Sequence, residues 1–566
     1  MRALLLQPEF PKFFWSMQQL CHIHGSQSST VPLGLITVAA LLPPHWQLRL
    51  VDLNVRPLNQ GELEWADVVL LSAMGVQRVS FLNILREAKA LGKTVVAGGP
   101  YPTTTPEEVV PAGCDFLVRG EAELLVPQLL EDLQQGRTGA VYESDIKPDL
   151  NISPIPRFDL LQPTDYLSMA VQTTRGCPFD CEFCDVVSLF GRKVRTKNPE
   201  QVLAELEALY RLGGVKDVFF ADDNFVGNKN FARRLLRLII PWMKERGEPF
   251  TFITQASVNL GHELELMDLL TEANFNSIFT GVESPDEAVL QRAHKHHNVA
   301  HPLPDTIKAI NANGLSLIAS FILGLDGETS GTGDRIADFA EATNLPVVML
   351  NMLFPLFKTR LWHRLQQEGR LREDLVDDWV ERDTPEMEYY SRMFFQPSRP
   401  EEEIISEYVR AVDRLYEPSA FLGRAYRSIL AMRPTRAAKA SRQGQPLPPS
   451  GPRHQKALRE HLVDVRRFLR LAWSQGVKSS CRRQFWQQLY GVWQQNPSRL
   501  IRYLGLCAYG EDLIQFRERF RQYREGLKNQ VAVPLMPSPG CSPQASLLRP
   551  EAEESGQAQD QTHRAV

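Results

Sequence analysis

The apolar positions of the first 136 residues fall into two rhythms. Short continuous runs lie at Ala3–Leu6, Leu48–Asp52, Val68–Ser72, Thr94–Ala97 and Phe116–Val118. Between them, at Leu33–Leu42, Val79–Leu91 and Leu124–Gln135, apolar residues recur every three to four positions. Continuous runs suit strands buried on both faces, and the longer spacing suits amphipathic helices. The alternation predicts an α/β domain over 1–136, a parallel sheet with right-handed crossovers. A second alternation fills 168–365, with strands at Val218–Ala221, Phe252–Gln255, Ser277–Thr280, Leu317–Leu323 and Val347–Leu353. Helices are predicted between them at Pro199–Leu212, Lys229–Arg246, Glu263–Ala273, Asp286–Ala293 and Leu303–Asn313.

The intervening and following segments read differently. Residues 137–167 are rich in Pro, Asp and Ser and predict an extended linker. Residues 431–455 predict a flexible break, 456–530 return to helical spacing, and 531–566 have the composition of a disordered tail. At 566 residues the chain exceeds one ordinary domain. Its 43% hydrophobic and 23% charged content is that of a soluble globular protein. The net charge of −4 argues against a general nucleic-acid binder. That value conceals an asymmetry: residues 451–528 hold 16 Lys and Arg against 6 Asp and Glu. Trp473, Trp486, Trp493, Tyr490 and Tyr503 lie among those arginines. Such helices either rest on an anionic membrane surface or pack their aromatics on the body with arginines outward. No apolar run approaches the roughly 18 residues of a spanning helix. The opening Met1–Glu9 is too short for a secretory signal and reads as a buried first strand.

Open parallel sheets bind ligands beyond the carboxyl ends of their strands. In the first domain that edge gathers the turns Pro32-Leu33-Gly34, Ala73-Met74-Gly75, Gly98-Gly99-Pro100 and Gly120-Glu121. The second domain opens with the most specific motif of the chain, Cys177, Cys181 and Cys184 in Arg175-Gly176-Cys177-Pro178-Phe179-Asp180-Cys181-Glu182-Phe183-Cys184-Asp185. Closed zinc sites need four ligands, typically in two pairs, and the other five cysteines are scattered singly. Few, uneven cysteines in so long a chain argue against a disulfide framework. Three thiolates without a fourth suit a [4Fe–4S] cluster with one open iron. The unpaired thiols and an oxygen-sensitive cluster place the chain in a reducing cytoplasm.

The C-x3-C-x2-C spacing, with Phe183 before the last cysteine, resembles the radical S-adenosylmethionine (SAM) signature. A parallel sheet directly before that motif resembles the cobalamin-binding domain of the B12-dependent radical SAM enzymes, with matches at Pro32-Leu33-Gly34-Leu35, Gly98-Gly99-Pro100 and Val118-Arg119-Gly120-Glu121-Ala122-Glu123. The resemblance implies a partial (β/α)6 barrel over 168–365 and a helical continuation over 366–430. It implies SAM on the open iron, with Asp222 or Asp223 at its ammonium, Gln255 toward its carboxylate or sulfonium, Glu283 at the ribose and Gly324 near the adenine. For cobalamin it implies contacts from Pro32, Gly34, Ser72, Gly98, Gly99, Gly120 and Glu121. Many such domains carry an Asp-x-His-x-x-Gly run whose histidine ligates cobalt. Here the run is Asp52-Leu53-Asn54-Val55-Arg56-Pro57, so cobalamin is expected base-off with no histidine ligand. The strand-six turn, Phe354-Pro355-Leu356-Phe357-Lys358-Thr359-Arg360, also lacks the family's glycine.

Cys181-Glu182-Phe183-Cys184-Asp185, Leu189-Phe190-Gly191-Arg192 and Asp222-Asp223-Asn224-Phe225 resemble a subgroup that includes the hopanoid C-2 methylases. The implied activity is C-methylation of an unactivated carbon: a radical from SAM abstracts hydrogen and the cobalamin supplies the methyl group. The implied substrate is hydrophobic, a polycyclic or isoprenoid lipid. A tetrapyrrole or peptide-derived metabolite, a cyclisation or rearrangement, and a non-catalytic cobalamin or SAM sensor are the alternatives. An electron donor such as flavodoxin or ferredoxin follows from the chemistry. His294, His296 and His297 read as an exposed polar run without a role.

Overall fold

Ala3, Leu4, Leu5 and Leu6 are wholly buried. They form the strand β1 (Arg2–Gln7), which is covered on both faces as an all-parallel sheet requires. In this computed structural model, residues 1–372, 375, 386–442 and 458–531 are described. Of the break expected at 431–455, residues 443–455 lie outside them, and Arg436–Arg442 is a helix instead; of the tail expected at 531–566, residues 532–566 lie outside, as does much of 373–385. The chain divides into two units, Met1–Phe520 and Arg521–Val566. Of the second, Arg521–Val531 is described, as the end of the helix Leu500–Val531.

The first unit carries two six-stranded sheets. β1 pairs in parallel with β2 (Gln47–Asp52) on one side and β3 (Val68–Ser72) on the other. β4 (Thr94–Gly98), β5 (Phe116–Arg119) and β6 (Ala140–Glu143) extend the sheet in the order β2-β1-β3-β4-β5-β6. The order reverses direction at β1, the place where such sheets open a crevice at their carboxyl edge. Residues 137–167 are therefore not wholly linker: they supply β6, which pairs with β5 from Phe116↔Ala140 to Arg119↔Glu143. Only Tyr142 of that strand is buried, so the sequence shows no apolar run.

The second sheet is the partial barrel. β7 (Met169–Val171) starts it, and β10 (Asp217–Phe220), β11 (Thr251–Gln255), β12 (Phe275–Glu283), β13 (Ser316–Leu323) and β14 (Val347–Met352) follow in parallel order. Between β7 and β10 a two-stranded antiparallel ladder, β8 (Thr174–Arg175) and β9 (Arg195–Thr196), pairs Thr174 with Thr196 and Arg175 with Arg195. After β14, in the turn that lacks the family's glycine, Lys358 occupies the left-handed region at φ +60. Thr359 then caps the helix Arg360–Gln367 by accepting from Trp362 N at 3.1 Å.

A barrel of six strands leaves β14 as an edge. Helices Glu401–Leu415 and Pro418–Ala431 cover it. The Tyr408 hydroxyl donates to Leu350 O at 3.2 Å and that of Tyr416 to Val348 O at 3.0 Å, while Leu350 N donates to Tyr416 Oη at 3.2 Å. Two side chains thus occupy the backbone groups that a further strand would take. The helices Leu458–Trp473, Arg482–Gln495 and the start of Leu500–Val531 join the barrel core through Leu471, Phe485, Val492, Tyr503 and Phe516. The segment after β1 also joins this core: Asp512 accepts from Gln19 N at 2.8 Å and Leu20 N at 2.9 Å.

Candidate active site

Residues 176–194 form one loop whose base is the β8–β9 ladder, and Cys177, Cys181 and Cys184 lie on it. Gly176 holds φ +95. A Cβ there would stand 2.7 Å from Lys193 O and 2.9 Å from Gly191 O, so glycine lets the two legs of the loop meet. Among the described residues, no three His, Cys, Asp or Glu side chains converge on one ion. Three part-exposed thiols on one loop instead match a cluster that offers a separate iron to each. Burial pushes all three thiols up, Cys184 to about 12. Thiols this dry ionise against a strong cation such as iron.

The ladder at the loop base puts two arginines directly opposite each other, an arrangement that repels unless neutralised. Glu121, from the turn after β5, bridges both. Its Oε2 accepts from Arg175 Nη1 at 2.7 Å and Arg195 Nη1 at 2.8 Å, and its Oε1 from Arg195 Nη2 at 2.7 Å. Glu123 adds a second ion pair to Arg175 at 2.8 Å. The Glu121 carboxylate, expected at cobalamin, is enclosed and engaged by the two arginines of the ladder. The turn after β5 and the start of the cysteine loop therefore touch.

A second clamp holds the tip of the loop. Glu182, between the second and third cysteines, binds Arg364 Nη2 at 2.9 Å and Nε at 3.0 Å. Arg364 continues to Asp326 at 2.8 Å, which Arg370 also grips at 2.8 and 2.9 Å. Burial pushes Asp326 up, but the two guanidiniums outweigh it and hold the carboxyl down at about 2.

The residues expected around SAM separate into those that face the loop and those that build it. Asp222 is fully buried; it accepts from Thr173 N at 2.6 Å, from Thr174 N at 2.9 Å and from the Thr173 hydroxyl. This carboxylate shapes the chain entering the loop and has no face left for an ammonium. Asp223 is half-buried and accepts from Gly176 N at 2.7 Å. Burial pushes both carboxyls up, to about 6. Asn224, assigned nothing from sequence, points its amide at Cys177 Sγ, 4.0 Å away, and is fixed by Ser257 at 3.1 Å. Gln255 ends β11 half-buried, its carbonyl accepting from Phe225 N at 2.9 Å. Gly324 does not line open space: a Cβ there would stand 2.7 Å from Met393 Cε, and its N–H is taken by Glu328 at 3.0 Å.

Glu283 ends β12 in a strained, left-handed backbone at φ +66, just after a register shift. Such strain needs over-determined surroundings. Asn298 supplies part, donating to Gly281 O at 3.0 Å and Val282 O at 3.1 Å. Lys295 supplies the rest, its Nζ 2.9 Å from Glu283 Oε1 and 5.7 Å from the Phe183 ring centroid. The run 294–298 is therefore not simply an exposed polar one. Lys295 and Asn298 are buried, and His297 stacks on Phe179 with centroids 3.6 Å apart. Lys295 is a site residue that sequence reasoning missed.

At the carboxyl edge of the first sheet, a Cβ on Gly34 or on Gly120 would meet nothing within 4 Å. Gly99, at φ +92, lies against the Ser72 hydroxyl, and Thr103 joins the Gly99 and Gly120 turns with hydrogen bonds of 2.7 and 2.9 Å. Gly98 sits beside Val118, and Pro32 is buried ahead of the helix Leu33–Leu41. Met74, Val76 and Leu124 are exposed on the turns of this edge. Open backbone and unpacked apolar side chains suit a large, flat, partly apolar ligand such as a corrin. Asn54, at the family histidine position, is turned away: its amide donates to Pro8 O at 3.1 Å and Asp52 Oδ1 at 2.7 Å, and its carbonyl accepts from Phe10 N at 2.8 Å.

Comparison with known proteins agrees with this layout. Residues 23–130 match the B12 binding domain, 171–340 the radical SAM superfamily, and 359–526 a domain of unknown function, DUF4070. The chain is 43% identical over 522 residues to an uncharacterized methyltransferase of Synechocystis sp., covering 92% of this chain and 93% of that one. It is 32% identical over 497 residues to the hopanoid C-2 methylase of Rhodopseudomonas palustris, covering 86% and 88%. The chain belongs to the cobalamin-dependent radical SAM methyltransferases. A more distant relative, at 23% identity over 74% of this chain and 88% of that one, is the bacteriochlorophyllide d C-12(1)-methyltransferase of Chlorobaculum tepidum. In fold it is similar to the radical SAM methyltransferase TsrM of Kitasatospora setae, solved with cobalamin and a [4Fe–4S] cluster, at a TM-score of 0.53 and 17% identity over 65% of this chain and 78% of that one. The cofactors of this methyltransferase are the [4Fe–4S] cluster, SAM and cobalamin.

Proposed function

We propose that this methyltransferase transfers a methyl group to an unactivated carbon of a polycyclic or isoprenoid lipid, a hopanoid being the preferred substrate. What supports the lipid is the 32% identity to the hopanoid C-2 methylase over 86% of this chain, and what supports joint use of cobalamin and cluster is the Glu121 clamp, which ties the turn after β5 to the base of the cysteine loop. When bound, the cluster and SAM supply a carbon radical and the cobalamin supplies the methyl group. The chain's own side chains bind and orient. Cys177, Cys181 and Cys184 hold the cluster, with the Asn224 amide directed at Cys177. Asp223, left accessible where Asp222 is not, takes the SAM ammonium, and a carboxylate suits that partner. Gln255 lies toward the SAM carboxylate, and Glu283 accepts from the ribose while Lys295 holds it in place. Pro32, Gly34, Ser72, Gly98, Gly99 and Gly120 form the cobalamin cradle. With Asn54 engaged elsewhere, that turn would offer cobalt no side-chain ligand.

The chain works in the cytoplasm, where its thiols stay reduced, and takes electrons from a flavodoxin or ferredoxin. Among the described residues no helix is long and apolar enough to cross a membrane. A tetrapyrrole substrate is the second reading, supported by the bacteriochlorophyllide relative. Anaerobic, cluster-reconstituted protein with cobalamin and methyl-labelled SAM separates them. Labelled methyl in a hopanoid and none in a bacteriochlorophyllide supports the lipid; the reverse overturns it. Cys181→Ala is expected to abolish SAM cleavage, and retained cleavage in that variant refutes the cluster assignment.

A further inference from the structure

The carboxyl-terminal helices turn a row of large apolar side chains away from the core. On Leu458–Trp473, Val465, Leu469 and Trp473 follow one another every four residues and are 52%, 59% and 57% exposed. The opposite face holds the helix to the protein: Leu471 is buried, and Arg467 donates to His24 O at 3.1 Å. On Arg482–Gln495 the pattern repeats at Trp486, Tyr490 and Trp493, which are 43%, 57% and 58% exposed, while Phe485 and Val492 are buried. The two rows meet. The Trp486 indole packs on Gly476, where a Cβ would lie 2.8 Å from the ring, and its Nε1 donates to Gly476 O at 3.0 Å. Tyr490 and Trp493 continue the row with ring centroids 5.8 Å apart.

Asp464, just before the row, is paired with Lys216 and Arg467, and beyond it the charge along the segment has one sign. Residues 465–493 contain six Lys and Arg and no Asp or Glu. Arg466, Lys478, Arg482 and Arg483 are exposed, and Lys478 Nζ stands 6.0 Å from the Trp473 ring. We propose that this face docks on an anionic lipid membrane, lying in the plane of the headgroups. Tryptophan and tyrosine settle at that depth, aliphatic side chains reach the acyl boundary, and arginine and lysine meet the phosphates. A second copy of the chain is a poor occupant, because it would set two equally basic faces against each other. The surface stands apart from the catalytic reading; it supplies a route for an apolar substrate but does not depend on one.

The full-length protein would be sedimented with vesicles of phosphatidylcholine alone and of phosphatidylcholine with phosphatidylglycerol. Binding is expected on the anionic vesicles and not on the neutral ones, with release at high salt and a blue shift of tryptophan emission. Trp473→Ser with Trp493→Ser, and separately Arg482→Glu with Arg483→Glu, should each weaken partitioning by at least about tenfold. Melting temperature and cluster iron content should stay unchanged in both. Wild-type protein that stays in the supernatant, binds both vesicles equally, or binds as well after either pair of substitutions overturns the proposal. So does a dimer, seen by light scattering, that the tryptophan substitutions dissolve. None of these readouts uses methyl transfer, so a failure here leaves the catalytic reading to its own test.

Discussion

Glu121→Ala tests whether the cobalamin domain holds the cysteine loop in shape. Glu121 is 3% exposed in its side chain, and Arg175 and Arg195 are 12% and 10% exposed. After the substitution Arg175 keeps Glu123 at 2.8 Å, but Arg195 keeps only carbonyl partners, Pro148 O at 2.9 Å and Phe190 O at 3.2 Å. Removing one partner of a buried ion pair costs about 3–5 kcal/mol. Repulsion between the opposed guanidiniums adds to that. At the lower figure, opening of the loop base becomes about two orders of magnitude more frequent. Hydrogen exchange followed by mass spectrometry on the cofactor-free protein reads this directly: peptides covering 172–197 should exchange about 100-fold faster, with the β10–β14 strands unchanged. Anaerobic reconstitution should then give substoichiometric iron. A carboxylate that merely touched cobalamin would leave exchange in the cofactor-free protein unaltered and lower cobalamin retention alone. That pattern would refute the clamp.

Lys295→Met leaves Glu283 buried beside an apolar side chain, and a loss of about 3 kcal/mol is expected. Adding Glu283→Gln should recover most of it, and a double variant that melts no higher than the single one would dissolve the pairing. Asp326→Asn carries a pH signature. The folded carboxyl is held at about 2 against an ordinary 3.8, so its ionised form stabilises the protein above pH 4 and that contribution disappears as pH falls through 2. The variant should melt below wild type at neutral pH, by up to about 2 kcal/mol in stability. The two melting curves should converge between pH 4 and 2; a constant gap over that range would contradict the Arg364 and Arg370 pairing.

Much of this architecture was readable before any coordinates, for identifiable reasons. β1, β3 and β4 are buried on both faces, so their runs are continuously apolar and stand out in the sequence. β6 was lost because an edge strand with one buried residue has no such run. The cysteines were legible because their chemistry depends on spacing within one loop. What escaped depends on meetings between distant positions. Glu121 was expected on the ligand side because the turn resembled a cradle, and nothing local reveals that Arg175 and Arg195 converge on it. Asp222 and Asp223 are adjacent and chemically identical, but they lie in the irregular turn after β10, where Asp222 is held by Thr173 and Thr174 and Asp223 by Gly176 alone. One was therefore enclosed and the other left accessible. Lys295 sat in a run of histidines whose polarity concealed its burial. Lys358 shows the converse, a non-glycine residue holding a left-handed backbone that the sequence alone does not reveal.

The tyrosines on β14 bear on how the chain is made. Strands of the barrel leave the ribosome before Tyr408 and Tyr416 do, so for the time needed to add some fifty further residues the newest strand ends in unclaimed amides and carbonyls. A nascent chain in that condition can accept a strand from a neighbouring polypeptide as readily as from itself. The helix Glu401–Leu415 and the Tyr416 that ends it therefore close the barrel's last open edge. Fragments that stop soon after β14, although they contain every cluster cysteine and each barrel residue assigned to SAM, should be the ones that collect in inclusion bodies.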